Sequence, residues 1–200
     1  QAGLSPNLAI GIALAVLLHR AFAAPQSALL LLALVAGVLG GAFQAMGFLR
    51  WPIAIPYLAQ AMVHATTPEA QATVALLEGT LNRYAGMVVG EHLGFLGQAF
   101  WTILVGRAAL ASRLFSPIYG GVAIVLGILL LVSALEQLGG PFEAIGMVSA
   151  PVSAAWLGWL IAVGVSLART DATGKGPRFG ILSAAILLGA MGGLTATALM

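Results

Sequence analysis

The stretch Asn82-Arg83-Tyr84-Ala85-Gly86-Met87-Val88-Val89-Gly90-Glu91-His92-Leu93-Gly94 decides the architecture. It opens an apolar run that continues to Gly106, and it carries an adjacent carboxylate and imidazole into that run. A hydrocarbon core about 30 Å thick is crossed by roughly 20 apolar residues in helical form, so the run reads as a membrane span. Ionisable groups inside a span are costly, which makes Glu91 and His92 a candidate functional site. Gly86, Gly90 and Gly94 recur every fourth residue beside them, a spacing that lets a second helix come close.

The rest of the chain agrees with that reading. Of its 200 residues, 60% are hydrophobic and only 7% are charged. A water-soluble domain carries about 25% charged residues, so most of this surface must face lipid. The net charge of +2 is spread through loops and argues against nucleic acid as a partner. There is no cysteine, which excludes disulfides, thiolate catalysis and Cys-ligated metal.

Six apolar segments divide the chain into spans at about 7–22, 28–49, 84–106, 117–135, 147–168 and 179–200. Period-2 alternation is absent and the runs are too long for barrel strands. The expected fold is all-α: one integral membrane domain over 1–200, a polytopic bundle of about six helices. Only 50–83 is a sizeable extramembrane piece. It begins with Trp51-Pro52 and Pro56-Tyr57, where proline is expected to break the helix and the aromatics suit a membrane–water boundary. Thr67-Pro68-Glu69 then has the form of a helix start, with a capping hydroxyl, proline in the first turn and an acid at the positive dipole end. Ala70, Val74, Leu77 and Leu81 follow 4-3-4 spacing, which predicts a short amphipathic helix on the outer face.

Loop charge sets the orientation. Arg20, Arg107, Arg113, Arg169, Lys175 and Arg178 fall on one side, so six of the eight basic residues share it, against Arg50 and Arg83 on the other. Lys and Arg favour the cytoplasmic side, which places both termini outside. If the first segment does not span, the N-terminus moves to the cytoplasm and the other loops keep their sides.

Within the bundle, Gly37 and Gly41 on the second segment match the spacing of Gly86, Gly90 and Gly94 on the third, and these two helices are expected to pack closely, within one chain or between copies. On the Glu91 face, α-helical periodicity aligns Tyr84, Gln98 and Thr102 into a partly polar stripe. Gln44 is the expected partner from the second segment, because its depth matches that of Glu91 to within roughly 3 Å at 1.5 Å per residue. The candidate ligand-binding set is therefore Glu91, His92, Gln44, Tyr84 and Gln98, lining a polar pocket that opens outward. A purely structural role for Glu91 and His92, each hydrogen-bonded in place, stands beside it.

No catalytic set and no metal site emerges, and no cofactor is predicted. Haem held by two histidines is disfavoured, because His19, His64 and His92 fall at different depths. Single ligation of haem or chlorophyll at His92 stays open. The sole lysine, Lys175, lies in a loop, which excludes a retinal Schiff base within a span. Hydrolase and metalloprotease signatures are absent.

Leu49-Arg50-Trp51-Pro52, Pro56-Tyr57-Leu58-Ala59, Asn82-Arg83-Tyr84-Ala85-Gly86 and Gly90-Glu91-His92-Leu93-Gly94 together resemble a bacterial multi-pass membrane family known as domain of unknown function 4386. Arg113-Leu114, Gly120-Gly121 and Trp156-Leu157 are similar to it too, so the resemblance covers about residues 30–170. It implies a helical bundle in a bacterial inner (cytoplasmic) membrane and implies no activity. The expected function is non-enzymatic: an accessory or structural subunit embedded in the lipid bilayer, packing with other membrane proteins or with itself. The alternatives are a carrier or sensor of a small apolar or amphipathic solute at Glu91, and a pigment- or haem-binding subunit through His92. An enzyme acting on lipids is a more distant reading.

Overall fold

The computed structural model describes residues 15–20, 22, 27–111 and 116–172. These residues form helices and short turns, with no strand among them. A helical stretch at 15–20 precedes α1 (Ala28–His64), α2 (Pro68–Leu81), a π-helical segment π1 (Asn82–Leu93), α3 (Gly94–Ala111), α4 (Pro117–Ser133), two 3₁₀ turns (Ala134–Leu138 and Gly140–Ile145) and α5 (Gly146–Ala172). Among the described residues, four stretches are long and apolar enough to cross a membrane: Ala28–His64, Pro68–Ala111, Pro117–Leu138 and Gly140–Ser166. The expected segment at 179–200 and most of that at 7–22 lie outside the described residues. Of the latter, Ala15 and Leu18 are buried in the core, and the His19 Nδ1 lies 3.1 Å from the Leu30 carbonyl.

Two expectations about 50–83 need correction. The helix expected to stop at 49 runs unbroken through Pro52 and Pro56 to His64. Proline removes one backbone donor and strands the carbonyl four residues back. Here Phe48, Pro52 and Pro56 lie on one exposed ridge, so the interruptions fall on the open side of α1. The amphipathic helix does begin where expected, with Thr67 Oγ1 accepting from the Ala70 N–H at 3.2 Å and Pro68 in the first turn. It does not end before the next span, however. α2, π1 and α3 form one continuous rod, Pro68–Ala111.

Lipid gives helices no hydrophobic reason to associate, so close backbone contact has to hold them. α1 meets the rod at two glycine pairs. A Cβ on Gly47 would stand 2.5 Å from the Gly90 Cα, and one on Gly40 would stand 2.9 Å from the Gln98 nitrogen, beside Gly97. α3 and α4 approach in the same way, where a Cβ on Gly106 would reach 2.8 Å from the Gly120 carbonyl.

Away from the seams, indole rings fill the centre. Trp101 meets both Trp156 and Trp159 edge to face, with centroids 6.3 Å apart in each pair. Each outer indole keeps its N–H satisfied: Trp156 donates to Thr102 Oγ1 at 2.9 Å, and Trp159 donates to the Tyr119 carbonyl at 3.0 Å. Thr102 in turn donates to the Gln98 carbonyl at 2.7 Å. A buried aromatic with a polar tip needs such a partner, and here α3, α4 and α5 supply one another.

Candidate functional site

The end of the bundle where α1 passes π1 gathers the ionisable groups. π1 runs for 12 residues and places Glu91 and His92 at its close. Such winding is rare, occurs mostly as single turns, and is frequent at functional sites. Both side chains are half-buried and both reach the same 3₁₀ turn. His92 Nδ1 lies 2.7 Å from the Ala134 carbonyl, and the Gln137 side chain is hydrogen-bonded to the Glu91 carboxyl. Residues three apart in a 3₁₀ helix eclipse one another, so Ala134 and Gln137 present one edge to the acid–imidazole pair.

Two further charges act on Glu91: Arg50 from α1 and Glu136 from the turn. Glu136 accepts from Ser149 Oγ at 2.7 Å, and its carboxylate lies against Gly146, the first residue of α5. A carboxylate at that place meets the positive end of the helix dipole. Arg50 donates to the Gly47 carbonyl at 3.3 Å, its guanidinium sits 5.3 Å from the Trp51 ring centroid, and it lies directly over Gly86. Its buried Nε has no hydrogen-bond partner among the described residues.

The residues singled out from the sequence are partly separated. Glu91 and His92 stay together. Gln44 lies against Gly94, one turn further along the rod. Tyr84 is 67% exposed and points away from the core. Gln98 joins the tryptophan cluster through its carbonyl. The stripe Tyr84, Glu91, Gln98 assumed 3.6 residues per turn, whereas π winding bonds each residue to the fifth along and turns successive faces out of that register. Gly86, Gly90 and Gly94 all face α1, while on α1 Gly40 and Gly47 make the backbone approaches; Gly37 meets Trp101 and Ala15, and Gly41 is buried.

The sequence reading placed Ser149 in the same outer half as Glu91 but did not group Arg50, Glu136 and Gln137 with it. A signal was present: Arg50 and Glu136 lie on the same side of the expected topology, one positive and one negative. Treating 50–83 as a loop hid it. Chemically the site offers a guanidinium, two carboxylates, an imidazole and a hydroxyl, suited to holding a polar head group or relaying protons. His92 Nδ1 is engaged, so a metal or pigment would have to take Nε2. Among the described residues no three His, Cys, Asp or Glu side chains converge for a metal ion.

A family model described as "Domain of unknown function (DUF4386)" matches residues 4–164, which includes every residue of this cluster. No curated protein and no solved structure matches the chain.

Proposed function

The chain belongs to the DUF4386 family, and on that premise we propose that this integral membrane protein is a non-enzymatic accessory subunit, docking another membrane protein through its α1–α2 hairpin. The observation that carries the reading is the surface of residues 51–81, where no residue is buried although Glu69 and Glu78 are the only acidic side chains, His64 the only imidazole, and there is no Lys or Arg. Trp51, Ile53, Tyr57, Val63, Leu76 and Leu77 are all more than half exposed.

Lipid alone does not account for that surface. α1 has 37 residues and extends about 55 Å at 1.5 Å per residue, against a hydrocarbon core of about 30 Å. Arg50-Trp51 and Arg83-Tyr84 mark one boundary, because arginine and the amphipathic aromatics collect at the membrane surface. From Ala28 to Arg50 is about 34 Å of helix, a full crossing. The hairpin beyond it then stands outside the hydrocarbon, where each exposed large apolar side chain forgoes about 1.5–3 kcal/mol of burial. A partner protein supplies that burial. Positive-inside asymmetry supports an outer-side hairpin with both termini outside.

Photo-crosslinking tests this reading. A benzophenone amino acid at Tyr57 or Val63 is expected to capture one defined partner in native membranes, and the same probe at Val125, on α4, only lipid. Capture of lipid alone from the hairpin would refute docking.

A second reading, a carrier or sensor of a small amphipathic solute, draws support from the convergence of Arg50, Glu91, His92 and Glu136. On that reading Glu91→Gln changes solute uptake or its pH dependence.

A further inference from the structure

We propose that Arg50 holds the phosphate of one phospholipid at the rim of the seam between α1 and the rod, and that Glu91 selects a head group which also carries an amine. The inference uses the membrane boundary at Arg50-Trp51 and needs neither a protein partner nor a transported solute.

The guanidinium is fixed in place but underused. It donates to the Gly47 carbonyl at 3.3 Å, lies over Gly86 and sits 5.3 Å from the Trp51 ring centroid. An arginine offers five N–H donors in a rigid fork. Among the described residues its hydrogen-bond partner is Gly47, and the buried Nε has none. Leaving the donors of a charged group unpaired is costly, so the remaining terminal N–H groups call for an outside acceptor. The fork matches the oxygens of a phosphate. At a membrane–water boundary the abundant phosphate is that of the lipid head groups.

The surface of α1 favours a lipid over free phosphate. At about 100° per residue, Met46, Leu39, Val35 and Leu32 fall within about 60° of the Arg50 direction. All four are exposed, whereas Gly47 and Gly40 turn to the rod. Arg50 therefore stands where the seam meets the lipid-facing side. From Arg50 to Leu39 is about 16 Å of helix, the depth of one leaflet in a hydrocarbon core of about 30 Å. A phosphate on Arg50 heads an apolar stripe that an acyl chain can follow.

Glu91 sets the charge of the head group. It directly follows Gly90, which meets Gly47 backbone to backbone, so Glu91 and Arg50 flank the same contact. Among the described residues no ion pair joins the two. A head group of net negative charge on Arg50 meets the carboxylate and is repelled. A phosphoethanolamine head group brings an ammonium to the carboxylate instead, and the two attract.

Native mass spectrometry tests this on the full chain in mild detergent, titrated with dioleoyl phosphatidylethanolamine, dioleoyl phosphatidylglycerol or inorganic phosphate. One phosphatidylethanolamine is expected to bind, about tenfold more tightly than phosphatidylglycerol, and excess inorganic phosphate is expected not to displace it. Arg50→Gln removes the charge-assisted hydrogen bonds and is expected to weaken binding by about tenfold or more. Arg83→Gln, at an exposed position of the same boundary, is expected to weaken it by about twofold at most. Glu91→Gln is expected to abolish the preference between the two lipids. The preference is read on the wild-type chain, so a poorly folded Arg50→Gln variant leaves the test intact. Equal binding of both lipids by the wild-type chain would overturn the proposal, as would displacement by inorganic phosphate or a folded Arg50→Gln variant that binds like wild type.

Discussion

At the scale of single residues, glycines do the holding. Gly47 and Gly90 touch through their backbones, so a leucine at Gly90 is expected to destabilise the bundle by about 1–3 kcal/mol through overpacking, read as a lowered melting temperature in detergent. Gly79 faces open space on α2. Gly79→Ala is expected to stabilise by about 0.5–1 kcal/mol, because it removes glycine's excess chain entropy. Equal effects at the two sites would show that close approach is not what holds α1 to the rod. Thr102 gives a polar counterpart. Thr102→Val leaves the Trp156 N–H without its acceptor in the core, at a cost of about 1–3 kcal/mol. Equilibrium unfolding in mixed micelles measures it, and wild-type stability would mean that water replaces the hydroxyl.

At the scale of elements, legibility followed how local the determining physics is. The start of α2 was readable, because Thr67, Pro68 and Glu69 sit next to one another and a cap involves only its own turn. Thr67→Ala is expected to cost about 0.5–2 kcal/mol and to speed amide exchange at the start of α2; unchanged exchange would assign that end to packing instead. The continuation of α1 past Pro52 was not readable from proline rules, because what permits it is the shared exposed ridge of Phe48, Pro52 and Pro56, a property of the packed molecule. π1 was hidden for a related reason. Nothing in Asn82–Leu93 announces i to i+5 bonding; along it Tyr84 faces outward and Glu91 meets Gln137. The acid–imidazole pair itself was plain in the sequence, since charge in an apolar run stands out. Its partners Arg50, Glu136 and Gln137 are distant in the chain and needed the fold to meet it.

At the scale of the molecule, composition alone gave the solvent: 7% charged residues leave lipid as the surroundings of a helical bundle. The asymmetry of the basic residues then predicts which end faces the cytoplasm. Glu78→Cys, at an exposed polar position of the hairpin, is expected to react with an impermeant thiol reagent in intact cells, and Ala111→Cys at the opposite end only after lysis; the reverse pattern would invert the orientation. What composition does not give is the use of the surface, because an apolar side chain facing lipid and one awaiting a protein look the same in sequence. The subunit proposal separates the two by assigning the hairpin a place beyond the Arg50-Trp51 and Arg83-Tyr84 boundary. The most direct test of the subunit account is purification from the native membrane in mild detergent, with mass spectrometry and an absorption spectrum on the same fraction, for the wild-type chain and for Tyr57→Glu with Val63→Lys. The account predicts a stoichiometric partner protein with the wild-type chain and its loss from a variant that still folds and inserts. A solitary wild-type chain, or a partner retained by the variant, would contradict it.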